Sequence, residues 1–318
     1  VKKEKNKKDS PKKLIVVFFI LIFGISNSYS AAVTQIDKQV FADGDGEDLS
    51  SVMGDVVFNN DGTKMFTSYS NSTAVNTNDD VINEYTLSVP YDISSATYAG
   101  ASERCAVTDG EDGSKDRAML SFSFSDDGMK IFVAQRGLNG VDNSFVNRLD
   151  LTAAFDVSTC VYINEINVDT DLLQNGSTAG PRVNTGGRNN LQGLDITNDG
   201  TKMFLTMNDR DGNQSVKKYN FATPYDLTTI TIDPSAIVLQ KENPFGIFFG
   251  NNGKRLFVSF IGVSPNKGII EQYTLDTAYD LSSFTLDGQI GLEEMDSDLD
   301  DLINISFSKD GLKMFAAH

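Results

Sequence analysis

The 318-residue sequence has no Trp, one His, two Cys and seven Pro. With His318 as the sole imidazole, a zinc site built from several His, or a Ser-His-Asp triad, is all but excluded in the visible chain. Basic residues are scarce beside acidic ones, 27 against 44, for a formal net charge of −17. The balance is more acidic still without the Lys-rich stretch from Lys2 to Lys13. Such a field repels phosphate backbones, so nucleic acid is not an expected partner. It suits cations, basic partners or plain solubility in a salty medium. A long apolar run is also missing. Leu14 to Phe23 is too short to span a bilayer, which takes about 20 residues. Behind the lysines, and ahead of Ser28, Ser30 and Ala31, that run has the form of a cleaved export signal over residues 1–30. An uncleaved N-terminal anchor is the alternative. Export implies a secreted or periplasmic protein, expected to be bacterial, with no stable membrane insertion after cleavage. Outside the cytoplasm Cys105 and Cys160 could pair, but their positions in the repeat place them at opposite ends of the molecule and argue against a bridge.

What the sequence does contain is a unit that recurs five times: NNDGTKMF from Asn59, SDDGMKIF from Ser125, TNDGTKMF from Thr197, NNGKRLF from Asn251 and SKDGLKMF from Ser308. Each copy places a base two residues after the turn Gly and a Phe four residues after it. An apolar strand A precedes each turn, as in Val56 to Phe58 or Ile303 to Phe307. The Gly can take positive φ in a tight hairpin, and strand B follows with the base and the Phe. Strand C ends in period-two alternation, such as Tyr85 with Leu87 and Tyr219 with Phe221. An aromatic-Asp dipeptide comes next: Tyr91-Asp92, Phe155-Asp156, Tyr225-Asp226 and Tyr279-Asp280. Its Asp suits an Asx-turn leading into strand D. Regular recurrence in one turn marks these four Asp as structural, and the five turn-side bases are expected along strand edges. The repeated Phe should be core, each fully buried one contributing roughly 1.5–3 kcal/mol.

Four antiparallel strands in series predict an all-β protein, a β-propeller over residues 31–318 with four nearly complete blades and a truncated fifth. The fifth unit stops at His318 within strand B, and the natural protein is expected to be longer. Thr34 to Phe41 alternates and stands where a strand D is expected, ahead of the first strand A; a longer chain could close as five blades, with six to eight equally open. FSDDG from Phe124 and FSKDG from Phe307 resemble the repeats of the PD40, YVTN and WD40-like propeller families. That resemblance implies a fold and no activity. The chain departs from WD40 in lacking Trp and in its aromatic-Asp turn.

Unit length varies mainly in the D–A connections and a little in the B–C loops, which emerge together at one end. Variable loops on a rigid scaffold carry recognition, so that end is the expected functional face. Its candidate ligand-binding residues are Arg117, Arg136, Arg188, Asn189, Asn190, Asp298 and Asp301. Asp209, Asp211 and Asn213 are spaced as oxygen ligands for Ca²⁺, though no EF-hand is completed and plain polar turns are the preferred reading. No residue is singled out as catalytic. The main expectation is a non-catalytic binding or scaffolding module for a protein or carbohydrate ligand. The alternative is a carboxylate-based hydrolase or lactonase, with Ca²⁺ in or near the central channel. An enzyme should show convergent carboxylates in the channel with a raised pKa; a binder should show a broad, shallow polar surface.

Overall fold

The computed structural model describes residues 14–22, 32–41, 53–70, 80–107, 117–137, 144–168, 189–209, 214–262, 268–292 and 303–317. Two N-terminal strands, β1 (Leu14–Ile22) and β2 (Ala32–Phe41), are followed by five repeats of the unit. The first blade comprises β3 (Met53–Phe58), β4 (Lys64–Tyr69), β5 (Val81–Leu87) and an outer strand broken into β6 (Ala96–Tyr98) and β7 (Cys105–Ala106). The second has β8 (Arg117–Phe124), β9 (Lys130–Gly137), β10 (Ser144–Asp150) and β11 (Val161–Asn167). In the third are β12 (Asn189–Ile196), β13 (Lys202–Asp209), β14 (Ser215–Phe221) and β15 (Ile230–Val238). The fourth holds β16 (Pro244–Gly250), β17 (Arg255–Ile261), β18 (Gly268–Leu275) and β19 (Phe284–Gly291), before β20 (Asn304–Phe307) and β21 (Lys313–Ala317).

All five sheets are antiparallel. The fifth runs β2-β1-β21-β20, so the N-terminal strands complete the blade that the C-terminal strands begin. Thr34–Phe41 lies in its outer strand, as the alternation predicts. The apolar run read as the core of an export signal is strand β1 here, hydrogen-bonded to β21, and the signal-peptide expectation gains no support from the fold. Each inner strand (β3, β8, β12, β16, β20) packs beside the next, and β20 returns to β3. The ring is closed.

The turn chemistry explains why the motif repeats. Gly62, Gly128, Gly200 and Gly253 have φ of +74°, +69°, +67° and +83°. The aromatics of the aromatic-Asp dipeptides are left-handed too, at φ 55° to 62°. Each donates its N–H to the turn Gly carbonyl, as Tyr225 does to Gly200 at 2.9 Å, and lays its ring where a Gly side chain would be. The following Asp closes the expected Asx-turn: Asp226 accepts the Thr228 N–H at 3.0 Å, and Asp92 that of Ser94 at 3.0 Å.

The turn-side bases correct the expectation that they simply line strand edges. Lys64 of the first blade donates to the Phe155 carbonyl of the second at 2.9 Å. Lys313 of the fifth reaches the Tyr91 carbonyl of the first at 3.3 Å. These two tie neighbouring blades together, whereas Arg255 bonds Thr274 and Asp287 of its own blade. Phe66, Phe132, Phe204 and Phe315 are fully buried between blades, as their recurrence predicts.

Cys105 and Cys160 form a disulfide, with Cα atoms 5.8 Å apart. The register argument against it fails because the outer strand of the first blade is interrupted. A 3-10 turn, Ala101–Glu103, separates β6 from β7. β7 then sets Cys105 opposite Ile82 and packs it with Val157, beside the C–D turn of the second blade.

Candidate active site in the central channel

The site begins at a repeated irregularity in the inner strands. β3, β8, β12 and β16 each shift register against their B strand at the same place. In three of them the bulged amide is satisfied by a hydroxyl of strand B. Asp55 N–H donates to Ser68 Oγ at 2.6 Å, Gly193 N–H to Thr206 Oγ1 at 2.7 Å and Gly246 N–H to Ser259 Oγ at 2.7 Å. Bulges of this kind re-aim side chains. Here they bring Asp55, Ser121, Gly193, Gly246 and Asn304 to one level of the axis. Crowding at that level is severe. A side chain on Gly193 would meet the Phe245 carbonyl oxygen at 2.2 Å, and one on Gly246 the Asn304 Oδ1 at 2.2 Å.

Asp55 forms the polar part of this floor. Its Oδ2 accepts from Ser121 Oγ at 2.8 Å and from the Phe122 N–H at 3.1 Å; its Oδ1 accepts the Val56 N–H at 2.8 Å. Ser121 Oγ in turn accepts from the Leu194 N–H and from Asn304 Nδ2, both at 3.3 Å. Four of the five inner strands are thus linked through one hydroxyl and one carboxyl.

Above the floor lies a cavity of 420 Å³, within the range of small-molecule sites. Asp195 is in its wall. It is half-buried, and its Oδ2 accepts the Phe249 N–H of the next inner strand at 2.9 Å. Phe248, Phe249, Tyr91 and Tyr279 add aromatic surface. The mouth is ringed by the A–B turns, which contribute Asn60, Asp126, Asn198, Asn252 and Lys309. Lys309 of the fifth blade reaches Asp126 of the second at 2.8 Å and Asn60 of the first at 3.2 Å.

The two channel carboxyls are electrostatically unusual. Burial pushes Asp55 up to about 7, against the pull of the Phe122, Ser121 and Val56 hydrogen bonds, and the charge of Asp195 adds to the rise. Burial also carries Asp195 to about 7, opposed by the Phe249 and Ile196 amides. Desolvation exceeds hydrogen bonding at both. The turn carboxylates behave oppositely: hydrogen bonds from Thr63 hold Asp61 below the usual range, and one from Ser125 does so for Asp127.

The cavity opens at the A–B turn end, whereas sequence variation points to the opposite end. Most of that expected face lies outside the described residues, including Arg188, Asp211, Asn213, Asp298 and Asp301. Asn189, Asn190 and Asp209 are in β12 and β13 near that end, paired Asn189 with Asp209. Arg136 is half-buried in β9. Arg117 is buried in β8, bonded to Glu165 at 2.6 Å and over the Phe145 ring at 3.5 Å, so its guanidinium serves the second blade. Of the described residues on that face, neither Arg117 nor Arg136 lines the cavity. Among the described residues no group of three or more His, Cys, Asp or Glu could hold a metal ion, and the calcium expectation is not carried further. Asp55 and Asp195 went unmarked in the sequence. Their signal is a carboxylate inside a strand A that is otherwise apolar or small, MGDVVF and GLDI.

No protein-family model matches the chain, and no curated protein sequence matches it. Solved structures do. A Lactobacillus plantarum protein aligns at TM-score 0.47 and 11% identity, over 83% of this chain and 64% of its own length. The periplasmic gluconolactonase of Pseudomonas aeruginosa aligns at TM-score 0.46 and 14% identity, over 86% of this chain and 68% of that one. A proposed 6-phosphogluconolactonase of Bacteroides fragilis aligns at 0.44 and 11%, over 98% and 89%. The chain therefore spans under two thirds of the L. plantarum protein. Likeness at this level assigns no chemistry. The expectation of a non-catalytic binding module is nevertheless corrected. The channel has the enclosed carboxylates Asp55 and Asp195 expected of an enzyme, the alternative reading, in place of a shallow polar surface.

Proposed function

We propose that the protein is a carboxylate-dependent hydrolase of small cyclic esters, a lactonase, working in the channel cavity. The observation that carries this reading is the presence in one cavity of Asp55 and Asp195, both with pKa about 7. A base whose pKa lies near the working pH is half ionised yet still basic enough to take a proton. Asp195 keeps surface on the cavity and is the general base. Its carboxylate removes a proton from water, and the water oxygen bonds to the lactone carbonyl carbon. Collapse breaks the ring C–O bond. The departing alkoxide takes a proton from Asp55 or from the newly protonated Asp195. The division of labour needs one carboxyl ionised while the other still carries its proton, and two groups titrating near neutral pH allow that state.

The finer family placement belongs to the same proposal. FSDDG and FSKDG support membership among the PD40, YVTN and WD40-like repeats. The Cys105–Cys160 disulfide supports an oxidising, exported location.

The test is Asp195→Asn assayed on a panel of γ- and δ-lactones. The substitution should lower kcat about 100- to 10,000-fold with an unchanged melting temperature, and wild-type kcat/KM should fall on the acid side with an apparent pKa near 7. Undiminished turnover in the variant, or no turnover by the folded wild type across the panel, refutes the reading.

A further inference from the structure

From the cavity lining we infer that the ligand is an uncharged, hydroxyl-rich ring, and that phosphorylated or otherwise anionic rings are excluded. The inference rests on the hydrolase reading only for the identity of the reacting bond. Lys309 is the only cation among the described residues that line the cavity, set against Asp55, Asp126, Asp195 and Asp310. Its ammonium is already engaged by Asp126. An anion entering the mouth therefore meets carboxylates without a free counter-charge, in a site where the surrounding protein strengthens the repulsion. A net charge of −17 on the chain acts in the same direction.

The polar groups that remain are neutral and able both to donate and to accept. Side-chain amides cluster at the mouth: Asn198, Asn251 and Asn252. The fourth A–B turn lacks the Asp of the others and holds Asn251 and Asn252 in succession at φ 49° and 51°. Deeper in, Ser306 of β20 lines the cavity at 8% exposure, and its Oγ has no hydrogen-bond partner among the described residues. A buried hydroxyl without a partner is costly, and a ring hydroxyl of a bound ligand would supply one. Phe248, Phe249 and Tyr279 offer flat apolar surface for the C–H faces of such a ring.

The experiment has two arms. Calorimetry with D-glucono-1,5-lactam, a ring that cannot hydrolyse as an ester, and with its 6-phosphate measures binding to the wild-type chain. Kinetics with the corresponding lactones measure turnover. The neutral lactam should bind at least about 100-fold more tightly than the phosphate, and Ser306→Ala should weaken it about 10-fold while leaving the melting temperature unchanged or higher. Equal or tighter binding of the phosphate overturns the inference, as does no binding of the neutral ring to folded protein; unchanged affinity in Ser306→Ala removes that residue's role. Binding of the lactam without turnover of the lactone leaves the inference standing and sinks the hydrolase reading. Preferred turnover of the phosphorylated lactone does the reverse.

Discussion

At Gly200 the backbone is left-handed, and the Tyr225 ring covers the Cα so closely that an added Cβ would sit 2.4 Å from its carbons. Two requirements therefore coincide at one residue: a conformation that L side chains resist and a contact with no room for a methyl. Gly200→Ala should destabilise the protein by about 2–4 kcal/mol, read from urea melts. A change under about 0.5 kcal/mol would mean that the turn and ring can separate freely. The same pairing at Gly62, Gly128 and Gly253 explains why Gly and aromatic recur together although they are distant in sequence. Asp55 and Asp195 pose the opposite case. The residues level with Asp55 in the other units are Ser121, Gly193, Gly246 and Asn304, none of them acidic, so a reading that looks for a recurring carboxylate passes over it.

Among the elements, the outer strand of the first blade departs furthest from its counterparts. Its interruption between β6 and β7 places Cys105 beside the second blade, and the disulfide closes a loop with a sequence separation of 55. A crosslink of that span is worth about 4 kcal/mol through the unfolded state. The double variant Cys105→Ala, Cys160→Ala should lose stability of that order in a denaturant melt, and reductant should lower the wild type to match; a loss near zero would mean the bridge adds nothing. The break in the strand leaves no mark in the repeat register, which is why sequence spacing set the two cysteines apart. Strand order, the turns and the Asx-turns were legible because each follows from local chemistry repeated in every unit. The inner-strand bulges were not, since the satisfying hydroxyls of Ser68, Thr206 and Ser259 lie 13 residues away in strand B.

For the whole molecule, the closed ring sets a pH dependence of stability. Asp55 and Asp195 have folded pKa values near 7, above the 3.8 of an ordinary aspartate. The folded state then holds more protons than the unfolded state between those values, so stability falls as pH rises through that interval. Each carboxyl contributes on the order of 4 kcal/mol to the fall. Asp61, Asp127 and Asp310 are shifted downward, chiefly by side-chain hydrogen bonds from Thr63, Ser125 and Ser308. Their stabilisation is complete above the ordinary carboxylate range and is lost as pH drops below it. The two groups together put the stability maximum near pH 4–5. The melting temperature should be higher at pH 5 than at pH 8, and Asp55→Asn with Asp195→Asn should flatten the difference. A melting temperature that rises steadily from pH 5 to pH 8 would contradict the burial of these charges.

The function was harder to read than the fold for a related physical reason. Loop length drew attention to the D–A and B–C end, whereas the cavity is walled by the inner strands and opens among the most regular turns in the chain. Regularity there serves two purposes: Tyr91 both covers Gly62 and borders the cavity. The central claim is that two channel carboxyls stay protonated far above their fellows. Carbon-13 NMR of the aspartate carboxyl carbons across pH 3 to 9, assigned with Asp55→Asn and Asp195→Asn, measures it directly. Two resonances titrating near pH 7, each lost in its own variant, is the predicted result; aspartates that all titrate below about pH 5 would contradict it.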